Sequence, residues 1–176
     1  MFYFDMDGVL ADFDRGIIDF YGRPMEALTD AERHAFWNVD CVSSRLFANL
    51  HPIREGVELL KGLREAILPF TILTSTGGGT FHADIAKQKI DFLVRNGLGD
   101  IPMAFATGTD NKAERAKVAY DVLIDDRDKC VIAWKNQGGT AFKFTRDNWE
   151  SILKECVAGN FKFDLTPSIP DHLTTS

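Results

Sequence analysis

Two carboxylates, two residues apart, close the first apolar run of this chain. Asp5 and Asp7 follow Phe2-Tyr3-Phe4, and Gly8 comes directly after them. Residues i and i+2 of a strand point to the same side, so a strand that ends near Asp5 brings the two acids together. Carboxylates this close repel each other unless a cation or a proton lies between them. The pair therefore predicts a metal ion, a shared proton, or both.

Three further groups of polar side chains lie near the ends of other apolar runs. Thr74 and Ser75 form one group, Lys112 stands alone, and Asp125 and Asp126 form the third. With the first pair they supply hard oxygen ligands for Mg²⁺, a carboxylate nucleophile, hydroxyl donors for phosphate oxygens, and a cation. Together these residue types indicate phosphoryl transfer.

The elements that must position these groups follow a β-α alternation. Apolar runs alternate with helical patterns, which predicts an α/β fold with a mostly parallel sheet flanked by helices. Because the carboxyl ends of parallel strands meet at one edge of the sheet, all four groups should converge there. The predicted strands are residues 2–5, 70–74, 101–106, 121–125 and 140–144.

Helices are predicted where apolar residues recur at helical spacing between the strands. One helix ends at Asn96-Gly97, as glycine commonly terminates helices. Asp147 and Glu150 have the spacing of a capping box before the last helix. The helix ahead of the second strand is predicted from Val57, Leu60, Leu63 and Ile67.

The stretch after the first strand breaks the alternation, because it contains no second strand before residue 70. Gly22 ends a first amphipathic helix there, and Thr29 and Glu32 have capping-box spacing for a second. We therefore predict a small helical cap inserted over the carboxyl end of the sheet. The predicted division is a core of residues 1–13 and 51–158, a cap of residues 14–50, and an extended or partly disordered tail of residues 159–176.

Composition limits the classes of function. The chain has 176 residues, enough for one domain with a small insertion. Its net charge of −6 argues against a broad nucleic-acid-binding face but not against a small anionic substrate. No apolar stretch approaches the ~20 residues that span a bilayer, and no signal-peptide pattern is present. Cys41, Cys130 and Cys156 are interpreted as reduced, packed thiols, so we expect a cytoplasmic protein without a membrane segment.

At these motifs the chain resembles the haloacid dehalogenase (HAD) superfamily of aspartate-nucleophile phosphatases. The matching motifs are DMDGVLADF at 5–13, ILTST at 72–76, a lysine ahead of the last core strand, and VLIDDRD at 122–128. Within the superfamily the chain is most similar to the 5′(3′)-deoxyribonucleotidase group, by DMDGVLADF, FW at 36–37, TS at 74–75 and LIDDR at 123–127. The resemblance implies a Rossmann-like core with a cap.

The resemblance also implies a role for each motif residue. Asp5 would attack phosphorus and form an aspartyl-phosphate. Asp7 would protonate the leaving oxygen, then help to activate water, while its backbone carbonyl ligates Mg²⁺. Thr74 and Ser75 would bind phosphoryl oxygens, and Lys112 would neutralise the phosphate and the nucleophile.

Two assignments stay open at this point. Lys117 is the alternative to Lys112, because the two lie 8 and 13 residues before Asp125. Asp126 is favoured over Asp125 as the direct metal ligand, with Asp125 supporting it through water or lysine. The implied magnesium set is Asp5, Asp7, Asp125 and Asp126.

The resulting expectation is a Mg²⁺-dependent phosphomonoester hydrolase, with (deoxy)nucleoside monophosphates as its first substrates. The alternatives are the same chemistry on a sugar phosphate, a phosphoprotein or a nucleic-acid 3′-phosphate end, or a non-catalytic HAD-like binding protein. Residues 77–79 are three glycines, which supply either loop flexibility or backbone amides for a phosphate. The cap aromatics are expected to form its core, with one or two available to stack on a base: Phe13, Phe20, Tyr21, Phe36 and Trp37.

Overall fold

A five-stranded, entirely parallel sheet forms the centre of the molecule, in the order β3-β2-β1-β4-β5. The computed structural model describes residues 1–77, 80–108 and 110–159. Each strand lies within two residues of its predicted bounds, so the predicted sheet is confirmed. The strands are β1 (Phe2–Phe4), β2 (Phe70–Ser75), β3 (Met103–Ala106), β4 (Val122–Asp125) and β5 (Thr140–Lys143).

Helices flank this sheet, which confirms the predicted α/β class. None of the helices in the described part of the chain is long and apolar enough to cross a membrane. Their bounds are α1 (Phe13–Tyr21), α2 (Asp30–Ala35), α3 (Cys41–Ser43), α4 (Leu46–Asn49), α5 (Arg54–Glu65), α6 (His82–Arg95), α7 (Asp128–Asn136) and α8 (Trp149–Ala158). Short 3₁₀ segments span Met25–Ala27 and Asp110–Arg115, and a π-helical turn spans Phe36–Asp40.

The order of the strands creates a crevice beside β1. The chain runs outward from β1 to β2 and β3, then returns to place β4 on the other side of β1. Phe4 is therefore paired with Ile72 of β2 and with Ile124 of β4. Ligands of open α/β sheets bind outside the carboxyl ends of the strands at such a reversal. The residues that follow β1 and β4 are Asp5 and Asp126.

The sheet is buried on both faces, which explains the continuous apolar runs of its strands. Phe4, Ile72 and Ile124 pack into the larger core with helices α5, α6 and α8. Leu73 and Leu123 point to the opposite face and pack with α7. All three cysteines are buried, and burial raises the pKa of Cys41 to about 11 and of Cys156 to about 12.

Four helices lie between β1 and α5, in the segment predicted as a cap. The capping box predicted at Thr29 and Glu32 is formed, with the hydroxyl and the carboxylate each accepting a backbone N–H of the other residue. Helix α1 ends at Gly22, whose φ of 72° is in the left-handed region. The division into core, cap and tail stays a prediction, and residues 160–176 lie outside the described residues.

Two local predictions were wrong. Ile67 is not part of the apolar face of α5, because the helix ends at Glu65 and Ile67 is 89% exposed with a φ of 58°. The capping box at Asp147 is not formed either. Asn148 precedes α8 instead and accepts the backbone N–H of Thr145, since its side chain closes the preceding turn.

Candidate active site

The predicted polar groups converge on a cavity of about 600 Å³ at the carboxyl edge of the sheet. Its sheet side is lined by Asp5, Asp7, Ser75, Lys112 and Asp126. Its other side is formed by the segment between β1 and α5, which contributes apolar and acidic side chains. The structure thus brings groups from four separate motifs into one space.

Asp5 and Asp125 share a buried lysine. The Nζ of Lys112 lies 2.6 Å from Oδ2 of Asp5 and 2.8 Å from Oδ2 of Asp125, and all three side chains are almost fully buried. The second oxygen of Asp5 accepts the backbone N–H of Met6 at 2.7 Å. Burial opposes the charge on Lys112, but the two carboxylates outweigh it and raise the pKa of the ammonium group. Lys112 therefore stays charged and holds Asp5 in place.

Of the two candidate lysines, the structure places Lys112 at the acidic cluster. Lys112 lies in the 3₁₀ segment Asp110–Arg115, between β3 and β4. Lys117 is exposed, and its backbone N–H donates to Asp121 beyond that segment.

Carboxylate oxygens of Asp5, Asp125 and Asp126 all lie within 4.8 Å of one another. Burial, followed by repulsion from Asp5, raises the pKa of Asp125 to about 6 and that of Asp126 to about 7. A divalent cation would relieve this repulsion, and three carboxylates are a donor set suited to Mg²⁺. These three residues could therefore hold the metal.

The two members of the acidic pair have different partners. Both oxygens of Asp125 accept hydrogen bonds, one from Lys112 and one from the backbone N–H of Arg127 at 2.9 Å. Asp126 lines the cavity, and its buried Oδ1 has no hydrogen-bond partner among the described residues. A buried oxygen without a partner is costly, so this atom marks the position where a cation fits.

Asp7 is held by a second buried lysine, which the sequence reasoning missed. The Nζ of Lys89 lies 2.5 Å from Oδ2 of Asp7, 2.7 Å from the Thr74 hydroxyl and 2.8 Å from the Ser75 carbonyl. Its three N–H donors thus meet three acceptors, and the ring of Phe47 lies 4.9 Å from the same nitrogen. Every hydrogen-bond donor of this fully buried ammonium group therefore has an acceptor.

The sequence does carry one signal for this lysine. Lys89 lies four residues after Ile85 and three before Phe92, on the apolar face of α6. A lysine inside an apolar stripe is buried with a partner far more often than by itself.

The Asp7 carboxyl is poised to carry a proton. Burial, together with repulsion from Asp5, raises its pKa, while Lys89 opposes the rise. Its side chain remains 28% exposed toward the cavity, and its Oδ1 has no partner among the described residues. Asp7 therefore has one oxygen anchored by Lys89 of α6 and one buried oxygen without a partner among the described residues.

The hydroxyl groups at the end of β2 lie in two environments, one beside Lys89 and one at the cavity. Thr74 is fully buried and faces Lys89, so its predicted phosphate contact stays a prediction. Ser75 lines the cavity as predicted from its position, and its Oγ accepts the backbone N–H of Gly77 at 3.2 Å. Thr76, which the sequence analysis did not select, also lines the cavity and bonds to His82. Residues 78 and 79 of the glycine triplet lie outside the described residues.

Gly8 allows the first motif to approach the acidic pair. Its φ of 77° is in the left-handed region, and a Cβ at this position would overlap the Asp126 carboxylate. Only glycine meets both requirements at once.

Aromatic side chains from the segment between β1 and α5 form part of the cavity wall. Phe13, Trp37 and Phe47 line the cavity, and their ring centroids lie 5.7 to 6.4 Å apart. Phe36 is fully buried in the core, whereas Phe20 is 45% exposed and does not line this cavity. The expected aromatic core is thus only partly formed, because Phe13 and Tyr21 pack around Phe36 while Phe20 and Trp37 are largely exposed. Phe13 and Trp37 are the two selected rings that line the site.

No protein-family model matches the chain, and no curated protein matches it. Among solved structures, a hydrolase from Pseudomonas syringae shares 18% identity with a TM-score of 0.52, covering 89% of each chain. A hydrolase from Streptococcus pneumoniae TIGR4 shares 13% identity with a TM-score of 0.55, covering 87% of this chain and 97% of its own. These two structures show that the fold is one that hydrolases use.

Proposed function

We propose that this protein is a Mg²⁺-dependent phosphomonoester hydrolase of the HAD type, acting through an aspartyl-phosphate. One observation carries the proposal. Asp5 and Lys112 of the buried Asp5–Lys112–Asp125 arrangement line the cavity together with Asp126, whose buried Oδ1 has no partner among the described residues. A nucleophile, a cation and a metal-ligand set at the carboxyl edge of a parallel sheet are the parts that phosphoryl transfer requires.

Asp5, Asp126 and the backbone carbonyl of Asp7 are the proposed ligands of Mg²⁺, with Asp125 supporting them. The unpartnered Oδ1 of Asp126 and the mutual repulsion of the carboxylates fit a divalent cation. When bound, the ion supplies positive charge for the phosphoryl oxygens and for the carboxylates around it.

In the first half-reaction, a carboxylate oxygen of Asp5 attacks phosphorus and the ester P–O bond breaks. The leaving oxygen takes a proton from the Asp7 carboxyl group, which the raised pKa equips for this role. Lys112 and the Ser75 hydroxyl lie at the cavity to bind the phosphoryl oxygens. The products are an alcohol and an aspartyl-phosphate.

In the second half-reaction, Asp7 is a carboxylate and accepts a proton from water. The water oxygen attacks phosphorus, and the bond between phosphorus and Asp5 breaks. Asp5 returns to a carboxylate and inorganic phosphate is released. Lys89 keeps Asp7 in position in both half-reactions through its 2.5 Å contact.

Nucleoside monophosphates are the substrates we propose first. The aromatic wall of Phe13, Trp37 and Phe47 supports this choice, because bases stack on aromatic rings. Another small phosphate ester remains the alternative within the same chemistry. The odd number of cysteines, with no CxxC pairing, fits a reducing compartment, and we propose the cytoplasm.

A panel of phosphomonoesters assayed with purified protein tests this proposal. We expect turnover in Mg²⁺, loss of turnover in EDTA, and recovery when Mg²⁺ is restored. Asp5→Asn should lower kcat by roughly 10³-fold or more, as loss of a nucleophile does. Absence of turnover for every ester in Mg²⁺, or full activity of Asp5→Asn, would overturn the proposal. Slow nucleotides beside a fast ester of another class would overturn the nucleotidase assignment alone.

A further inference from the structure

Two further carboxylates line the cavity besides Asp5, Asp7 and Asp126. Asp14 of α1 and Glu26 of the 3₁₀ segment Met25–Ala27 both line the cavity from the segment that follows β1. Both side chains are accessible to a ligand, since each residue is exposed to solvent. The proposed nucleophile and metal ligands come from the edge of the sheet, so these two acids are available to another part of the substrate.

No cation in the described part of the chain forms an ion pair with either acid. Arg146 lies close enough to influence Asp14, but its guanidinium is bound to Asp12 at 2.5 Å. Burial, then repulsion from Glu26 and Asp12, raises the pKa of Asp14 despite that arginine. The carboxylate oxygens of Asp14 and Glu26 can therefore accept hydrogen bonds from a ligand.

The three rings of the aromatic wall lie roughly parallel to one another. The planes of Phe13 and Trp37 differ by 16°, those of Phe13 and Phe47 by 15°, and those of Trp37 and Phe47 by 29°. Apolar rings that line a cavity suit a planar or apolar body packed against them. Because Phe13 directly precedes Asp14, the wall and the first carboxylate belong to the same end of the cavity.

Asp14 and Glu26 also disfavour an anionic group placed beside them. Of the described cations that line the cavity, Lys112 is bound to two carboxylates, and Arg127 is the other. A second phosphate or a carboxylate lying beside Asp14 and Glu26 would be repelled by both side chains. An amino group would instead donate charge-assisted hydrogen bonds to the carboxylates of Asp14 and Glu26.

We propose that the leaving group of the substrate carries an amino nitrogen on a planar or apolar body, which donates to Asp14 and Glu26 while the body packs against Phe13 and Trp37. This inference rests on the proposed function and narrows its substrate class. The amino group has two chemical sources, an exocyclic amine of a nucleobase or an aminoalkyl chain.

Matched esters that differ at one amino group test the inference. The pairs are CMP against UMP, AMP against IMP, and 2-aminoethyl phosphate against ethyl phosphate, each compared by kcat/KM in Mg²⁺. We expect the amino member to be favoured by about tenfold, the effect of roughly 1.4 kcal/mol, in at least one pair. Preference within the nucleotide pairs identifies a base amine, and preference within the alkyl pair identifies an aminoalkyl source.

Variants then assign the preference to these side chains. In the double variant Asp14→Asn with Glu26→Gln, the ratio of kcat/KM within the preferred pair should fall to twofold or less. Asp19→Asn is the control for the change at Asp14, because it removes one carboxylate from the same helix outside this cavity. The control should keep the full preference.

The inference is overturned if no pair shows a preference, or if the double variant keeps it unchanged. Those outcomes differ from failure of the proposed function, in which none of the six esters is hydrolysed in Mg²⁺. In that case there is no turnover to compare, and the proposed function fails together with the inference that rests on it.

Discussion

Two buried lysines determine the electrostatics of the site at the scale of single residues. Lys112 neutralises Asp5 and Asp125, and Lys89 anchors Asp7. Each lysine is nearly or completely removed from solvent, which is tolerated only because its charge is paired. The proposed nucleophile and the proposed acid are thus held by separate cations, and they can take different protonation states.

Replacing Lys89 by methionine should destabilise the protein by roughly 3–5 kcal/mol, because Asp7 would keep a partly buried charge without its partner. It should also lower kcat more than it raises KM, since Asp7 would lose its position without any loss of a cavity-lining cation. Urea unfolding and steady-state kinetics measure the two effects.

Lys87→Met is the control, because Lys87 is exposed on the same helix. Adding Asp7→Asn to Lys89→Met should restore part of the lost stability, as both members of the pair are then neutral. Equal stability of the Lys89 and Lys87 variants would contradict the structural assignment of Lys89.

Replacing Gly8 by alanine should weaken Mg²⁺ binding, because the added methyl group overlaps the Asp126 carboxylate. The positive φ alone should cost about 1–2 kcal/mol of stability. Gly22→Ala separates the two effects, because Gly22 has a φ of 72° with nothing within 4 Å of its added Cβ. Magnesium titration by calorimetry should show weaker binding for Gly8→Ala only. The same affinity in both variants would contradict the proposed role of Asp126.

The sequence was sufficient for the motif residues but not for Lys89 or Thr76. Asp5, Asp7 and the acidic pair each end an apolar run, so local pattern alone placed them at one sheet edge. Lys89 reaches Asp7 across 82 positions of sequence, and this pairing depends on how α6 packs. Local spacing contains no information about such a contact.

At the scale of elements, the end of α5 shows tertiary geometry overriding a periodic pattern. Ile67 has the spacing of a core residue, but the helix stops at Glu65 so that the chain can turn into β2. The turn leaves Ile67 exposed, in the left-handed region that a β-branched side chain disfavours.

Replacing Ile67 by glycine should therefore stabilise the protein by about 0.5–1 kcal/mol. Relief of ~1–2 kcal/mol of backbone strain exceeds the ~0.5–1 kcal/mol that glycine loses in chain entropy. Ile90→Gly is the control. Ile90 is 44% exposed in the middle of α6, so glycine at this position should destabilise the protein. A loss of stability in both variants, measured by urea unfolding, would show that Ile67 is not strained.

Strands were easier to predict from the sequence than the side chains that cap helices, and the reason is physical. Strands of a parallel sheet are buried on both faces, so they appear as continuous apolar runs whatever surrounds them. Capping depends on one side chain that has several possible partners. Asn148 closes a turn with Thr145 rather than leaving Asp147 to cap α8, whereas the Thr29 side chain accepts the backbone N–H of Glu32 and completes its capping box.

At the scale of the whole molecule, the acidic cluster couples folding to pH and metal. The pKa values of Asp125 and Asp126 are raised to about 6 and about 7, above the ordinary value of 3.8. Between about pH 4 and pH 7 the folded state therefore binds more protons than the unfolded state. Stability from these groups is greatest at the acidic end of that window and is lost as the pH rises through it.

Without metal, Asp126→Asn should consequently be more stable than the unchanged protein at pH 8, by on the order of 1 kcal/mol. The difference should shrink at pH 5, where Asp126 is already protonated. Adding Mg²⁺ at pH 8 should stabilise the unchanged protein and have little effect on the variant. Thermal unfolding at the two pH values measures these effects, and an equal Mg²⁺ effect on both proteins would contradict the metal assignment.

The proposed reacting groups and the proposed specificity groups come from different parts of the chain. The former lie at the carboxyl edge of the sheet, where motifs placed them, and the latter lie in the segment after β1. The spacing of Asp14 and Glu26 gives no sign that they share one cavity, because their convergence depends on how this segment packs. The proposed substrate class therefore rests on the structure as well as on the motifs.

The central claim is that Asp5 becomes phosphorylated, and trapping this intermediate tests it most directly. In Asp7→Asn, an aryl phosphate whose leaving group needs no protonation should still phosphorylate Asp5, whereas the water step should be slow. Acid quenching followed by peptide mass spectrometry should locate the phosphoryl group on Asp5, and the group should be absent when Asp5→Asn is added. Phosphorylation of a different residue, or hydrolysis of the ester with no phosphorylated Asp5 in the variant, would contradict the account.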